Sequence, residues 1–174
     1  PERFVPRVTA ALFDFDGTLA DSFAAITNST NHVRGGYGLP PLPEAVVREY
    51  VGYGLPNLMQ DLVPAADPAE AVARYRGHHR AAMLTDTRLL PDVGAVIPEL
   101  ARRGVRLVVC SNKGVAFTRE LVAHLGLAPY FAAVLGPDDV GGRAKPDPAM
   151  LHEGLARAGA TAATAVYVGD MSID

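Results

Sequence analysis

The sequence predicts an α/β fold: a doubly wound, Rossmann-like parallel sheet with a small α-helical domain inserted into it. Three observations lead there. Short apolar runs at residues 10–13, 105–110 and 165–168 each stop at a residue able to do chemistry, namely Asp14, Ser111 and the pair Gly169-Asp170. Helical periodicities separate the later runs, as in a strand-helix-strand succession. Between Leu19 and Leu90 the strand signals vanish and the chain reads as helices broken by Gly and Pro.

Taken in order, the run at 10–13 lacks polar alternation, which suits a strand buried on both faces of a parallel sheet. It delivers Asp14, Phe15 and Asp16 to one rim and turns at Gly17. Two carboxylates so placed can divide covalent catalysis, Asp14 attacking an electrophile while Asp16 handles the proton of the leaving group. In isolation, Asp-x-Asp-Gly is more often a strand cap and a turn. Helices are expected at 22–34, 43–51, 55–62 and 68–85, an insertion too long for a loop in a compact domain. The expected division is a core of residues 1–18 and 91–174 and a cap of residues 19–90. The stretches GGYGLPP and VGYGLP within the cap are turn signals that let backbone approach a ligand.

Residues 93–103 place Val93, Val96, Ile97 and Leu100 at helical spacing and stop at Gly104. Residues 105–110 then form a strand, residues 115–125 a helix ending at Gly126, and residues 148–158 a helix with Asp147 as N-cap and Pro148 at its first position. The run at 165–168 is the last strand. In such sheets ligands bind beyond the carboxyl ends of the strands, where all three runs deliver their polar residues.

Composition narrows the function. The chain has 174 residues, 49% hydrophobic and 20% charged, with a net charge of -3, enough for one globular domain with a small insertion. Its basic residues are scattered, which argues against nucleic acid or a membrane surface as partner. The single cysteine, Cys110, excludes an internal disulfide framework and agrees with a reducing compartment. No window approaches the roughly 18 apolar residues of a membrane span, so the expectation is a soluble, cytoplasmic protein, monomer or homodimer, acting on a small molecule.

With DFDGTLADS at 14–22, CSNK at 110–113, KPDP at 145–148 and VGDMSID at 168–174, in that order, the chain resembles the haloacid dehalogenase superfamily of phosphohydrolases. The resemblance implies that Asp14 is a nucleophile forming an aspartyl phosphate and that Asp16 protonates the leaving oxygen and then activates water. It implies that Ser111, Asn112 and Lys145 hold the phosphate, Ser111 by its hydroxyl, Asn112 by its backbone and Lys145 by charge. A Mg²⁺ ion would be held by Asp14, the Asp16 carbonyl and Asp170, with Asp174 completing or orienting that shell; hard oxygen donors are what this cation prefers. An acid at position 16, where the dehalogenases have none, points to phosphoryl transfer.

GYGLPPLP, VGYGLPNLMQ and SNKGVAFTRELVAHLGLAPYF are similar to the phosphoglycolate phosphatase group, which implies a small phosphorylated metabolite, best 2-phosphoglycolate. Its carboxylate would meet the cap or its hinge, with Thr18, Arg48, Gly52, Tyr53 and Gly54 as candidates and Arg34 and Arg76 beside them. His78 and His79 read as surface or core-edge residues, and Asp138 and Asp139 as surface acids. A phosphomutase, another small-metabolite phosphatase or a pyrophosphatase would use the same core, and a catalytically silent interaction protein would keep only the fold. Members of the superfamily continue beyond the last motif, so the C-terminal part of the core is expected to be missing after Asp174.

Overall fold

The computed structural model describes residues 8–174. Four parallel strands, β1 (Ala10–Phe13), β4 (Arg106–Cys110), β5 (Phe131–Leu135) and β6 (Ala165–Val168), lie in the order β5-β4-β1-β6. Phe13 is level with Val109 on one side and Val168 on the other, so the chemistry-bearing residues that follow each strand emerge at one rim.

Burial on both faces explains why the inner strands carry apolar runs without alternation. Ala11, Phe13, Leu107 and Val109 pack with Ile97 of α5 (Val93–Arg102) and Phe117, Leu121 and Val122 of α6 (Val115–His124). Ala10, Leu12, Val108 and Cys110 face the opposite way, against Met150 and Ala158 of α7 (Ala149–Ala158). Alternate side chains of one strand thus enter two separate cores, as period-two geometry requires. Helix α7 approaches closely because of Gly154: a Cβ there would sit 2.8 Å from Leu12 Cδ2 and 3.0 Å from Cys110 Sγ. The edge strand β6 leaves Val166 and Val168 exposed.

Between β1 and β4 the chain forms α1 (Phe23–Gly36), α2 (Glu44–Arg48), α3 (Leu55–Leu62) and α4 (Pro68–Asp86). These helices share an apolar cluster of their own, including Phe23, Ile26, Val33, Met59, Leu62 and Tyr75. Helix α4 starts where Asp67 accepts a hydrogen bond from the Glu70 amide at 3.0 Å, an N-cap that satisfies an otherwise orphaned donor. Two residues of β2 (Ala20–Asp21) pair antiparallel with two of β3 (Arg88–Leu89), tying the outgoing chain to the returning one.

Several local expectations are corrected. Strand β5 has no counterpart in the sequence reading, because FAAVL holds a single β-branched residue and a five-residue run of this kind does not separate strand from helix. Helix α1 continues through Gly35 and Gly36, read as a turn, and α2 stops at Arg48. Helix α7 begins one residue late, with Pro148 as N-cap and Asp147 Oδ1 accepting from the Ala149 amide at 2.8 Å.

Candidate functional site

Asp14 follows β1 directly, its amide bonded to the Val168 carbonyl at 2.9 Å, and its side chain is buried. Phe15, Asp16 and Gly17 then turn sharply; Gly17 has φ +82°, a conformation L side chains rarely adopt, and a Cβ there would overlap the Asp170 carboxylate. That close approach brings the first and last motifs together. Carboxylate oxygens of Asp14, Asp170 and Asp174 lie within 4.8 Å of one another.

Lys145 is the cation beneath them. Its Nζ lies 3.1 Å from Asp14 Oδ1, 2.5 Å from Asp174 Oδ1 and 2.7 Å from the Tyr167 hydroxyl, with the side chain 2% exposed. Asp14 Oδ1 is within ion-pair range of Lys145 but makes no hydrogen bond, so a buried carboxylate oxygen keeps a free lone pair. Burial raises the Asp14 carboxyl to about 6, the charges of Asp16 and Asp174 add to this, and Lys145 opposes it. Burial also works against ionised Asp174, but hydrogen bonds from Lys145 and the Met171 amide hold its pKa below the ordinary value.

The donor set suits a divalent cation: clustered carboxylates with an unsatisfied buried oxygen, all hard ligands. Asp14 and Asp170 offer the free positions. Asp174 is already engaged at both oxygens, Oδ1 by Lys145 and Oδ2 by the Met171 amide at 2.9 Å, so here it orients Lys145.

Asp16 does not turn its side chain to that cluster. It accepts from Ser22 Oγ at 2.5 Å and pairs with Lys113 Nζ at 3.3 Å. Above it opens a cavity of about 350 Å³, whose floor includes Asp14, Asp16, Ser111 and Lys113 and whose roof includes Gly52, Tyr53, Gly54, Tyr75 and Arg76. Ser111 is held by accepting from the Lys113 amide at 3.3 Å. Asn112 also borders the cavity, but its side chain is spent as a clamp. Its Nδ2 donates to the Gly52 carbonyl at 2.9 Å and the Lys145 carbonyl at 3.0 Å, and its Oδ1 accepts from the Lys145 amide at 2.8 Å.

The structure therefore gathers Asp14, Asp16, Ser111, Asn112, Gly52, Tyr53 and Gly54 around one cavity, with Lys145 and Asp170 just beneath. Three candidates fall elsewhere. Thr18 donates to Asp170 Oδ1 at 3.1 Å and does not line the cavity. Arg48 lies over the Phe23 ring at 3.7 Å and pairs with Glu44, away from the cavity. Arg34 is buried and spends its guanidinium on the Pro40 and Leu62 carbonyls. Arg76 is the arginine in the wall. Sequence reasoning gave no functional role to Lys113, Tyr75, His79, Tyr167 or Ser22. Lys113 and Ser22 carried a signal, as the last residues of the CSNK and DFDGTLADS stretches. Asp138, read as a surface acid, borders the cavity as well.

Paired acids at the tip of the first strand and an acid cluster at the last thus lie together beneath one helical roof. A sequence model of the haloacid dehalogenase-like hydrolase family matches residues 11–174, and the chain belongs to that family. It is 33% identical over 172 residues to the plasmid-encoded phosphoglycolate phosphatase of Cupriavidus necator, covering 95% of this chain and 74% of that protein. To the phosphoglycolate phosphatase of Rhodospirillum rubrum it is 36% identical over 176 residues, covering 95% and 73%. Among solved structures, a predicted phosphoglycolate phosphatase from Haemophilus somnus 129pt superposes with a TM-score of 0.86 at 25% identity, covering 97% of this chain and 79% of that one. The enzyme class is phosphoric monoester hydrolase, and family members of this kind depend on a metal.

Proposed function

We propose that the protein is a Mg²⁺-dependent phosphatase of small phosphate monoesters, with 2-phosphoglycolate as the favoured substrate, working through an aspartyl phosphate on Asp14. The observation that carries this reading is Asp14 itself: a buried carboxylate with a free lone pair, facing a cavity across from a second acid two residues on. The choice of ester rests on the names of the relatives.

In the first half-reaction an Asp14 oxygen attacks phosphorus, an oxygen-phosphorus bond forms, and the bond to the ester oxygen breaks. Asp16 in its protonated form gives its proton to the departing oxygen. In the second half, ionised Asp16 takes a proton from water as that water attacks the phosphorus, releasing inorganic phosphate and restoring Asp14. Ser22 and Lys113 hold Asp16 at that position. Lys145 keeps Asp14 ionised against its own burial, and Ser111 donates its hydroxyl to a phosphate oxygen. A divalent cation would be held by Asp14, the Asp16 carbonyl and Asp170, and would supply the charge screening that lets one anion attack another. Residues 19–90 serve as a cap that excludes water over a core of 1–18 and 91–174, with Arg76 and the backbone of Gly52 to Gly54 turned towards a substrate carboxylate.

Asp14→Asn tests the reading. Phosphate release from 2-phosphoglycolate in the presence of Mg²⁺ should vanish, and undiminished turnover in that variant would overturn it.

A further inference from the structure

His79 has no part in this chemistry, yet it borders the cavity. It is fully buried on α4, its ring stacked on Tyr75 at 4.8 Å between centroids and edge-on to Phe117 at 5.2 Å. Its Nδ1 lies 2.9 Å from Ser29 Oγ, which in turn donates to the Ala25 carbonyl at 2.9 Å. His78 Nδ1 approaches the same hydroxyl oxygen at 3.2 Å.

A hydroxyl has one proton and two lone pairs. With the proton committed to Ala25, Ser29 Oγ can only accept from the ring of His79, which puts the hydrogen on Nδ1. The Ala25 carbonyl also favours a proton on this ring. The imidazole is neutral, because burial, then the charge of Lys113, pushes its pKa down to about 3. A neutral ring with hydrogen on Nδ1 carries a bare lone pair on Nε2. That nitrogen is buried and has no hydrogen-bond partner among the described residues. The Lys113 ammonium acts on it by charge but pairs with Asp16 instead.

A buried acceptor left without a donor is unfavourable, and the ring that carries this one borders the substrate cavity. We propose that His79 Nε2 accepts a hydrogen bond from a hydroxyl group of the substrate, so that the cavity takes phosphate monoesters of polyols and hydroxy acids that keep a free hydroxyl. This rests on the phosphatase reading above and widens its substrate class beyond 2-phosphoglycolate, which has no hydroxyl to offer. An ionised carboxylate has no proton for Nε2 and would oppose lone pair to lone pair; in a hydroxy-acid ester that group has Arg76 in the same wall.

The test compares two esters that differ by one hydroxyl, 3-phosphoglycerate and 3-phosphooxypropionate, with 2-phosphoglycolate as reference and Mg²⁺ present throughout. The wild-type protein should favour 3-phosphoglycerate by about tenfold or more in kcat/KM. In His79→Phe that preference should fall to near unity, and a ratio taken within one variant is independent of how much of it folds. Nitrogen-15 NMR of the wild-type imidazole should show Nε2 unprotonated at pH 7. Equal kcat/KM for the two esters in the wild type, a preference that survives His79→Phe, or a protonated Nε2 overturns the inference. Turnover of 2-phosphoglycolate with no preference between the pair defeats this inference alone, whereas turnover of none of the three defeats the phosphatase reading with it.

Discussion

Replacing His79 by Phe should reverse the way stability responds to mild acid. The folded protein holds this ring neutral, with burial and then Lys113 lowering its pKa from 6.5 to about 3. Between those values the unfolded chain binds one more proton than the native one, so stability rises with pH; the contribution is complete above 6.5 and is lost as pH falls. Each pH unit is about 1.36 kcal/mol, so acidification from 6.5 to 5 removes about 2 kcal/mol. Asp14 acts in the opposite sense. Its carboxyl is raised from 3.8 to about 6, mainly by burial, so the native state takes up the proton first and gains about 1.4 kcal/mol between pH 6 and 5. The wild type should therefore lose only about 0.6 kcal/mol between pH 7 and 5 from this pair. His79→Phe keeps a ring for Tyr75 and Phe117 to pack against but removes the losing arm, and should gain about 1.3 kcal/mol over the same interval. Urea denaturation with metal chelated, at pH 5 and pH 7, measures both. Comparing pH differences cancels any fixed packing defect in the variant, and His78, whose pKa burial also lowers, is common to both proteins. The same pH dependence in wild type and variant would refute the reasoning.

Two further substitutions probe the site. Lys145→Met leaves the buried Asp14 and Asp174 carboxylates facing each other without their cation; removing one partner of a buried ion pair costs roughly 3–5 kcal/mol. The loss should appear in denaturant unfolding of the metal-free protein and shrink when Mg²⁺ is added, while a loss under 1 kcal/mol would mean the cluster is not held by Lys145. Arg76→Ala should raise KM for a carboxylate-bearing ester by about three- to tenfold and spare kcat, since Arg76 borders the cavity and pairs with no carboxylate among the described residues. Arg48→Ala should leave steady-state kinetics unchanged, and the opposite ranking of the two variants would place the substrate on another face of the roof.

Much of the core was legible in the sequence. Residues 10–13 and 165–168 match β1 and β6 to the residue, and the helices at 93–103 and 115–125 end one residue earlier than expected. These elements are long or uniformly apolar, with Gly at the helix ends, so local pattern and tertiary packing agree. Strand β5 was illegible because its two alanines carry no β signal, and its place beside β4 comes from the register of its neighbours. The reading of His78 and His79 as surface or core-edge residues failed for His79 because a polar side chain on a helix is buried only when a partner is waiting, and its partner, Ser29, is fifty residues away.

What the sequence by itself determined is the order of chemistry along the sheet. Asp14, Ser111 and Asp170 sit within two residues of a strand end, so any fold that pairs those strands in parallel register brings them to one rim. Only the tertiary structure decided which residues face the cavity from above. Arg34, Arg48 and Arg76 are equivalent as letters, but α1 turns the first onto backbone carbonyls, α2 lays the second over Phe23, and α4 presents the third to the cavity. Likewise the side chain of Asn112 is consumed by Gly52 and Lys145, and Lys113 and Ser22 converge on Asp16. Strand-end placement follows from a covalent neighbourhood. The direction a helix turns a given side chain follows from how helices pack on one another, and that depends on contacts between residues far apart in the chain.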